Sequence, residues 1–243
     1  MTLQANDMLA CEKDDDDIPV NCISNVSVDN IIFAMEQSKL KVLLVKYNEG
    51  ISAGKWALLG HWLREGEDLA VGAARVVREI TGVDNLYLEQ LKAFGKVNRY
   101  PNRRILTIAY YSLVLLQDVD LQPQDKNVEF KWFDIHQLPE LVFDHLEIVQ
   151  TGLEKLQYRV RHEPIGFSLL PEKFTLLQLQ EIYEAILNQK LDKPNFRRKF
   201  QKMNLLIDCK EKQQNVAHRA AGLYRFDIEV YKKLKDFGFN FDF

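Results

Sequence analysis

The stretch Gly60-His-Trp-Leu-Arg-Glu-Gly-Glu-Asp-Leu-Ala-Val-Gly-Ala-Ala-Arg-Val-Val-Arg-Glu-Ile-Thr-Gly-Val83 decides how this chain folds. Its first part is polar and carries Gly60 and Gly66. Its second part places apolar residues at helical spacing and stops at Thr81-Gly82. A glycine just past the last periodic residue takes the left-handed conformation that closes a helix, because it has no Cβ to clash. The stretch reads as a loop feeding a helix capped by Gly82.

The spacing of Gly66-Glu67, Arg75, Glu79 and Gly82-Val83 resembles the Nudix box, G-x5-E-x7-R-E-U-x-E-E-x-G-U, where U is bulky and aliphatic. In Nudix hydrolases the helix glutamates hold Mg²⁺ or Mn²⁺, and the metal bridges a pyrophosphate and activates water. A hard divalent cation needs several oxygen ligands, and residues i, i+3 and i+4 share one helix face. Here those three positions are Val76, Glu79 and Ile80, so two carboxylates are aliphatic. That removes metal ligands and the base for water. The expectation is a protein that is not an enzyme, with no catalytic residue, metal or cofactor.

The remaining polar residues admit two readings. Arg75 and Glu79, at i and i+4, suit a helix-face ion pair as well as a ligand contact. Glu65 and Glu67 suit the positive end of the helix. Trp62 suits the core, or a platform for a sugar ring. With Lys55, Asn98 and Arg104, placed near strand ends, these give the candidate effector set: Lys55, Trp62, Glu65, Glu67, Arg75, Glu79, Asn98 and Arg104.

Outward from the box, Val26–Met35 and Leu40–Lys46 read as two hairpin strands, and Lys55–Leu59 as a third. Leu86–Gly95, Arg104–Leu116 and Val128–Phe133 follow as strands, the middle one almost continuously apolar. Asp144–Tyr158 returns to helical spacing through Leu146, Val149, Leu153 and Leu156, with Asp144 as N-cap. Strands around one helix and then another predict an α/β fold, an α/β/α sandwich with a mixed sheet, over residues 21–160. Arg159–Pro164 reads as a polar linker. Residues 1–20, with Asp14 to Asp17, read as a flexible acidic tail.

Residues 161–243 have a different character. Thr175 caps a helix over Leu176–Leu187, and Asp192 caps a second helix reaching Lys202, with Pro194 in its first turn. Strands Leu205–Cys209 and Gly222–Asp227 follow, joined by Lys210–Ala221. This order predicts a winged helix-turn-helix. Phe196 and Phe200 turn to the core, so Lys193, Asn195, Arg197, Arg198 and Lys202 face outward. Such residues suit major-groove reading, with His218 and Arg219 on the wing reaching phosphate or the minor groove; a solvated basic helix is the plainer reading.

Charge supports the division. The 243-residue chain carries a net −3, yet residues 161–243 hold 15 Lys and Arg against 11 Asp and Glu, and the remainder 17 against 24. A basic C-terminal part suggests an acidic partner there. Three widely spaced cysteines, Cys11, Cys22 and Cys209, fit reduced thiols rather than a disulfide frame. No apolar run suits a membrane span and no secretory signal is legible, so the expected location is the cytoplasm.

With Leu169-Leu-Pro-Glu-Lys-Phe-Thr, Leu191-Asp-Lys-Pro-Asn-Phe-Arg-Arg-Lys and Leu223-Tyr-Arg-Phe after a degenerate Nudix box, residues 22–235 resemble the NrtR family of Nudix-related transcriptional regulators. The resemblance implies a homodimeric repressor that binds double-stranded, pseudo-palindromic operator DNA. It also implies an effector-sensing Nudix domain. Members respond to ADP-ribose or, in sugar-catabolism branches such as AraR, to sugars including L-arabinose. Loss of the metal–pyrophosphate handle at Val76 and Ile80 points to a small sugar effector and control of carbohydrate metabolism. The alternatives are an ADP-ribose sensor regulating NAD metabolism and a Mg²⁺-dependent hydrolase.

Overall fold

The computed structural model describes residues 22–122, 128–214, 220–237, 239, 241 and 243. The aspartate tract and the wing candidates His218 and Arg219 lie outside the described residues. Contacts divide the chain into two units. The first gathers the chain through Gly152 apart from Ala34–Lys41 and Val114–Leu116, and the second gathers those two segments with Leu153–Phe243.

The first unit is built on β1 (Cys22–Glu36), β2 (Lys39–Tyr47), β3 (Trp56–Ala57) and β4 (Leu59–Arg64). After them come α1 (Leu69–Thr81), β5 (Glu89–Phe94), β6 (Leu106–Leu115), β7 (Val128–Asp134) and the start of α2 (His145–His162). Seven strands form one sheet in the order β3-β2-β1-β6-β5, with β4 on β1 and β7 on β2. Strand alternation explains why helices cover both faces. Val28 packs with Ala73 and Val76 of α1, and the Asn30 amide donates to the Ala73 carbonyl at 3.3 Å. On the other face, Gly152 of α2 lies against Ile31 and Phe33. The expected mixed α/β fold is therefore the observed one.

The box departs from expectation in its first half. Leu59–Arg64 is a strand, antiparallel to β1 with Val28 opposite His61 and Asp29 opposite Gly60. Glycine and charged neighbours mask its strand character in the sequence, and the β1 edge supplies the missing partner. Gly82 closes α1 at φ 73° as expected, its N–H bonded to the Arg78 carbonyl. The expected linker Arg159–Pro164 is also different, because α2 continues to His162. Buried Leu156 and Val160 extend its apolar stripe, and Arg159 pairs with Glu163 one turn on at 2.6 Å.

The second unit runs through a 3₁₀ turn (Ile165–Leu169) into α3 (Leu176–Leu187), α4 (Lys193–Lys202), β8 (Leu206–Lys212), β9 (Gly222–Phe226) and α5 (Ile228–Asp236). Thr175 makes the full capping box with Gln178. Asp192 accepts from the Asn195 N–H at 3.0 Å, and Pro194 stands in the first turn where its missing donor is harmless. β8 and β9 pair antiparallel, and Phe174 adds an antiparallel bridge to Tyr224. Helix, turn, helix and wing are all present. The sequence reading did not anticipate α5, which Asp227 caps by accepting from the Val230 N–H at 2.9 Å. No helix among the described residues is long and apolar enough to cross a membrane.

Candidate functional site

The box carboxylates are held by arginine. Arg75, 5% exposed, donates to both oxygens of Glu67 at 2.9 and 2.6 Å, to Glu79 at 2.8 Å and to the Trp62 carbonyl at 3.0 Å. Arg64 adds a second contact to Glu79 at 3.1 Å, and its N–H donates to Glu67 at 2.7 Å. Hydrogen bonding from Arg75 holds the Glu67 carboxyl below its ordinary pKa. Beside this network Val76 is fully buried among Val28, Leu63, Ala73 and Tyr110, and Ile80 packs on the same cluster. The residues present do not fit a Nudix metal: two ligand positions belong to the core and the other carboxylates are neutralised by guanidinium.

The concave site lies elsewhere in the same unit. A cavity of about 480 Å³ is lined by residues of β1, the Tyr47–Ser52 segment, β3–β4, residues 99–105 and the approach to α2. Its aromatic wall is Trp62, Tyr100 and Phe143, with ring centroids 6.3 Å apart for Trp62–Tyr100 and 4.7 Å for Tyr100–Phe143. Phe143 sits at φ 50°, a conformation that strains a bulky residue by about 1–3 kcal/mol and that clusters at functional sites.

Buried charges line its other side. Arg99 donates to both Asp144 oxygens at 2.8 Å and reaches Asp29 at 3.4 Å. The expected cap residue Asp144 thus gives its carboxylate to Arg99. His145 accepts from the Leu58 N–H at Nδ1, 2.9 Å away, and its Nε2 lies 3.7 Å from Asp29. Burial lowers its pKa, so the neutral ring carries its proton on Nε2. The Tyr47 hydroxyl is buried without a hydrogen-bond partner among the described residues. Burial, then the Asp29 charge, raise its pKa. Gly60 owes its place here to room: a Cβ would stand 2.0 Å from Asp29 Oδ1.

Of the candidate effector residues, Trp62 lines this cavity. Glu67, Arg75 and Glu79 form the network described above. Lys55, Glu65, Asn98 and Arg104 are exposed outside the lining, and Arg104 donates to the Gly95 carbonyl. Sequence reasoning missed Asp29, Arg99, Tyr100, Phe143 and His145. The one local signal was Asp29-Asn30, a polar pair inside an otherwise apolar strand.

In the second unit, Phe196 and Phe200 are buried while Lys193, Asn195, Arg197, Arg198 and Lys202 are all exposed on α4. Arg198 donates to the Asn195 side-chain oxygen, which aligns the two side chains as one polar unit. In the wing, Lys173 pairs with Glu211 and Arg225 with Glu172. A basic helix face beside a two-stranded wing suits insertion into a DNA groove.

Residues 24–151 match the NUDIX domain family, and residues 166–226 match the NrtR DNA-binding winged helix domain. A curated relative from Acinetobacter baylyi, the "ADPR responsive transcriptional repressor NtrR", is 32% identical over 220 residues, 89% of this chain and 85% of its own length. Shewanella oneidensis NrtR in complex with a 27mer DNA has 31% identity and a TM-score of 0.68, covering 83% of this chain and 93% of that one. The NUDIX domain of the same protein complexed with ADP ribose has 31% identity and a TM-score of 0.50, covering 55% and 89%.

Proposed function

We propose a function that proceeds from one fact: the chain belongs to the NrtR family of Nudix-related transcriptional regulators. It is a DNA-binding transcriptional repressor whose Nudix unit senses ADP-ribose without hydrolysing it. A homodimer reads a pseudo-palindromic operator through Lys193, Asn195, Arg197, Arg198 and Lys202 of each α4, and the effector favours a state that releases DNA.

The observation that carries this reading is the separation of the cavity from the box helix. The volume of about 480 Å³ falls within the range of roughly 300–1,000 Å³ typical of small-molecule pockets. Trp62, Tyr100 and Phe143 offer faces for a flat base, and Arg103 brings a cation to the lining for a diphosphate. Val76 and Ile80 argue against metal-assisted hydrolysis, yet neither lines the cavity, so their loss leaves binding of an intact ADP-ribose possible. The sugar expectation rested on treating the two losses as one. It has no support from the relatives, whose names and complexes specify ADP-ribose.

The test is displacement of labelled operator DNA by ADP-ribose and by L-arabinose. Release by ADP-ribose at submillimolar concentration, with arabinose inert, is the expected result. Release by arabinose alone would return the sugar reading. Mg²⁺-dependent turnover of ADP-ribose that disappears in Glu79→Gln would replace sensing by catalysis.

A further inference from the structure

The chain after α5 carries phenylalanine at every second position: Phe237, Phe239, Phe241 and Phe243. These residues lie beyond the part matched by the winged helix family, which ends at Phe226. Phe237 is exposed, but Phe241 is buried with its ring 6.1 Å from Phe200. Phe243 is half-buried against the two helices. Its ring centroid is 4.6 Å from Tyr183 of α3, and 5.2 and 5.5 Å from Phe196 and Phe200 of α4. On its outer side the Lys199 ammonium stands 5.1 Å over the ring. The Phe243 N–H donates to the Arg161 carbonyl at 2.8 Å, satisfying an acceptor in the last turn of α2 that the helix itself leaves open.

Phe196 and Phe200 are the inward stripe of the helix whose outward stripe carries Lys193, Arg197 and the Asn195–Arg198 pair. A ring wedged behind the inward stripe fixes the rotation and depth of the outward one. Lys199, which sequence charge alone would count with the basic face, is drawn toward Phe243.

We propose that Phe243, backed by Phe241, is a positioning residue for α4, setting how its exposed side chains meet base edges while touching no DNA itself. This rests on the reading of α4 as the DNA-contacting helix. Base-edge contacts depend steeply on alignment, whereas phosphate contacts from flexible lysine and arginine side chains tolerate small displacements.

The experiment compares wild type, Phe243→Ala, Phe243→Leu and Arg197→Ala. It measures operator affinity, affinity for unrelated duplex DNA, the fraction of active protein, and amide exchange in α4. Phe243→Ala is expected to weaken operator binding about tenfold while unrelated DNA binds within about twofold of wild type, so the specificity ratio falls. Phe243→Leu, which keeps apolar bulk, recovers part of the loss. Both variants show faster exchange in α4 than wild type. A residue that only stabilises the fold would lower the active fraction and leave the specificity ratio unchanged, which overturns the proposal. Parallel weakening on both DNAs overturns it too. If Phe243→Ala does not fold, unchanged α4 exchange and an unchanged specificity ratio in Phe243→Leu overturn it equally. Arg197→Ala separates the two levels: if it leaves operator binding intact, the role given to α4 fails, while the exchange data still judge the wedge.

Discussion

α1 and α4 each present arginines beside buried apolar residues, and their charges have opposite fates. Arg75 of α1 is turned inward, and it neutralises Glu67 and Glu79 within hydrogen-bonding distance. In α4, Arg197, Lys193 and Lys202 are exposed, and no ion pair engages them among the described residues. The same residue type is a structural strut in one helix and an exposed, unpaired charge among the described residues of the other. Residue identity sets what a side chain is able to do; the partners within about 3 Å determine what it does.

That contrast can be broken most forcefully at Val76. Val76→Glu restores a box carboxylate, but into a position with no exposure, and is expected to lower unfolding free energy by about 5 kcal/mol. Denaturant titration measures this; a stable variant with new Mg²⁺-dependent hydrolysis would show that α1 is still a metal platform. Arg75→Ala leaves two half-buried carboxylates facing each other, and a loss of about 3–5 kcal/mol is expected by the same method. A loss under 1 kcal/mol would place Arg75 with the exposed class. Arg197→Ala should do the reverse, weakening operator binding by roughly 1–3 kcal/mol with thermal stability unchanged. Anisotropy titration beside a melting curve separates the two quantities.

The smallest effect is with pH. The folded His145 pKa is held down by burial, so below its ordinary value near 6.5 the unfolded chain binds the proton first. Stability from this residue is complete above that value and declines as pH falls through the folded pKa. Melting temperatures taken from pH 7.5 to 5 should fall, and fall less in His145→Gln.

Local chemistry was legible in the sequence, and long-range assembly was not. Gly82, Thr175 and Asp192 were readable as caps because a cap is a relation over three or four residues. The inward turn of Phe196 and Phe200 followed from helical period alone. The cavity joins positions 29, 47, 62, 99, 143 and 145, and no spacing rule connects strand β1 with the start of α2. Asp144 was readable as the residue before α2, where its carbonyl accepts from the Ile148 N–H, but not as the partner of Arg99, 45 residues away, which takes its carboxylate. The wedge of Phe243 was invisible for the same reason. α2 outran its expected end because apolar periodicity persisted beneath a polar surface.

The narrow gap between Gly60 and Asp29 couples two distant parts of the sequence. A methyl group at position 60 is excluded while the Asp29 carboxylate holds its place beside Arg99, and a shortened residue at 29 would relieve the shortest contact while the Val28 carbonyl stays 3.2 Å away. The two positions are therefore coupled: a side chain at 60 meets less resistance once residue 29 is shortened. Gly60, one residue ahead of the position where the box pattern has its glycine, is thus held by the room its neighbours leave rather than by the pattern.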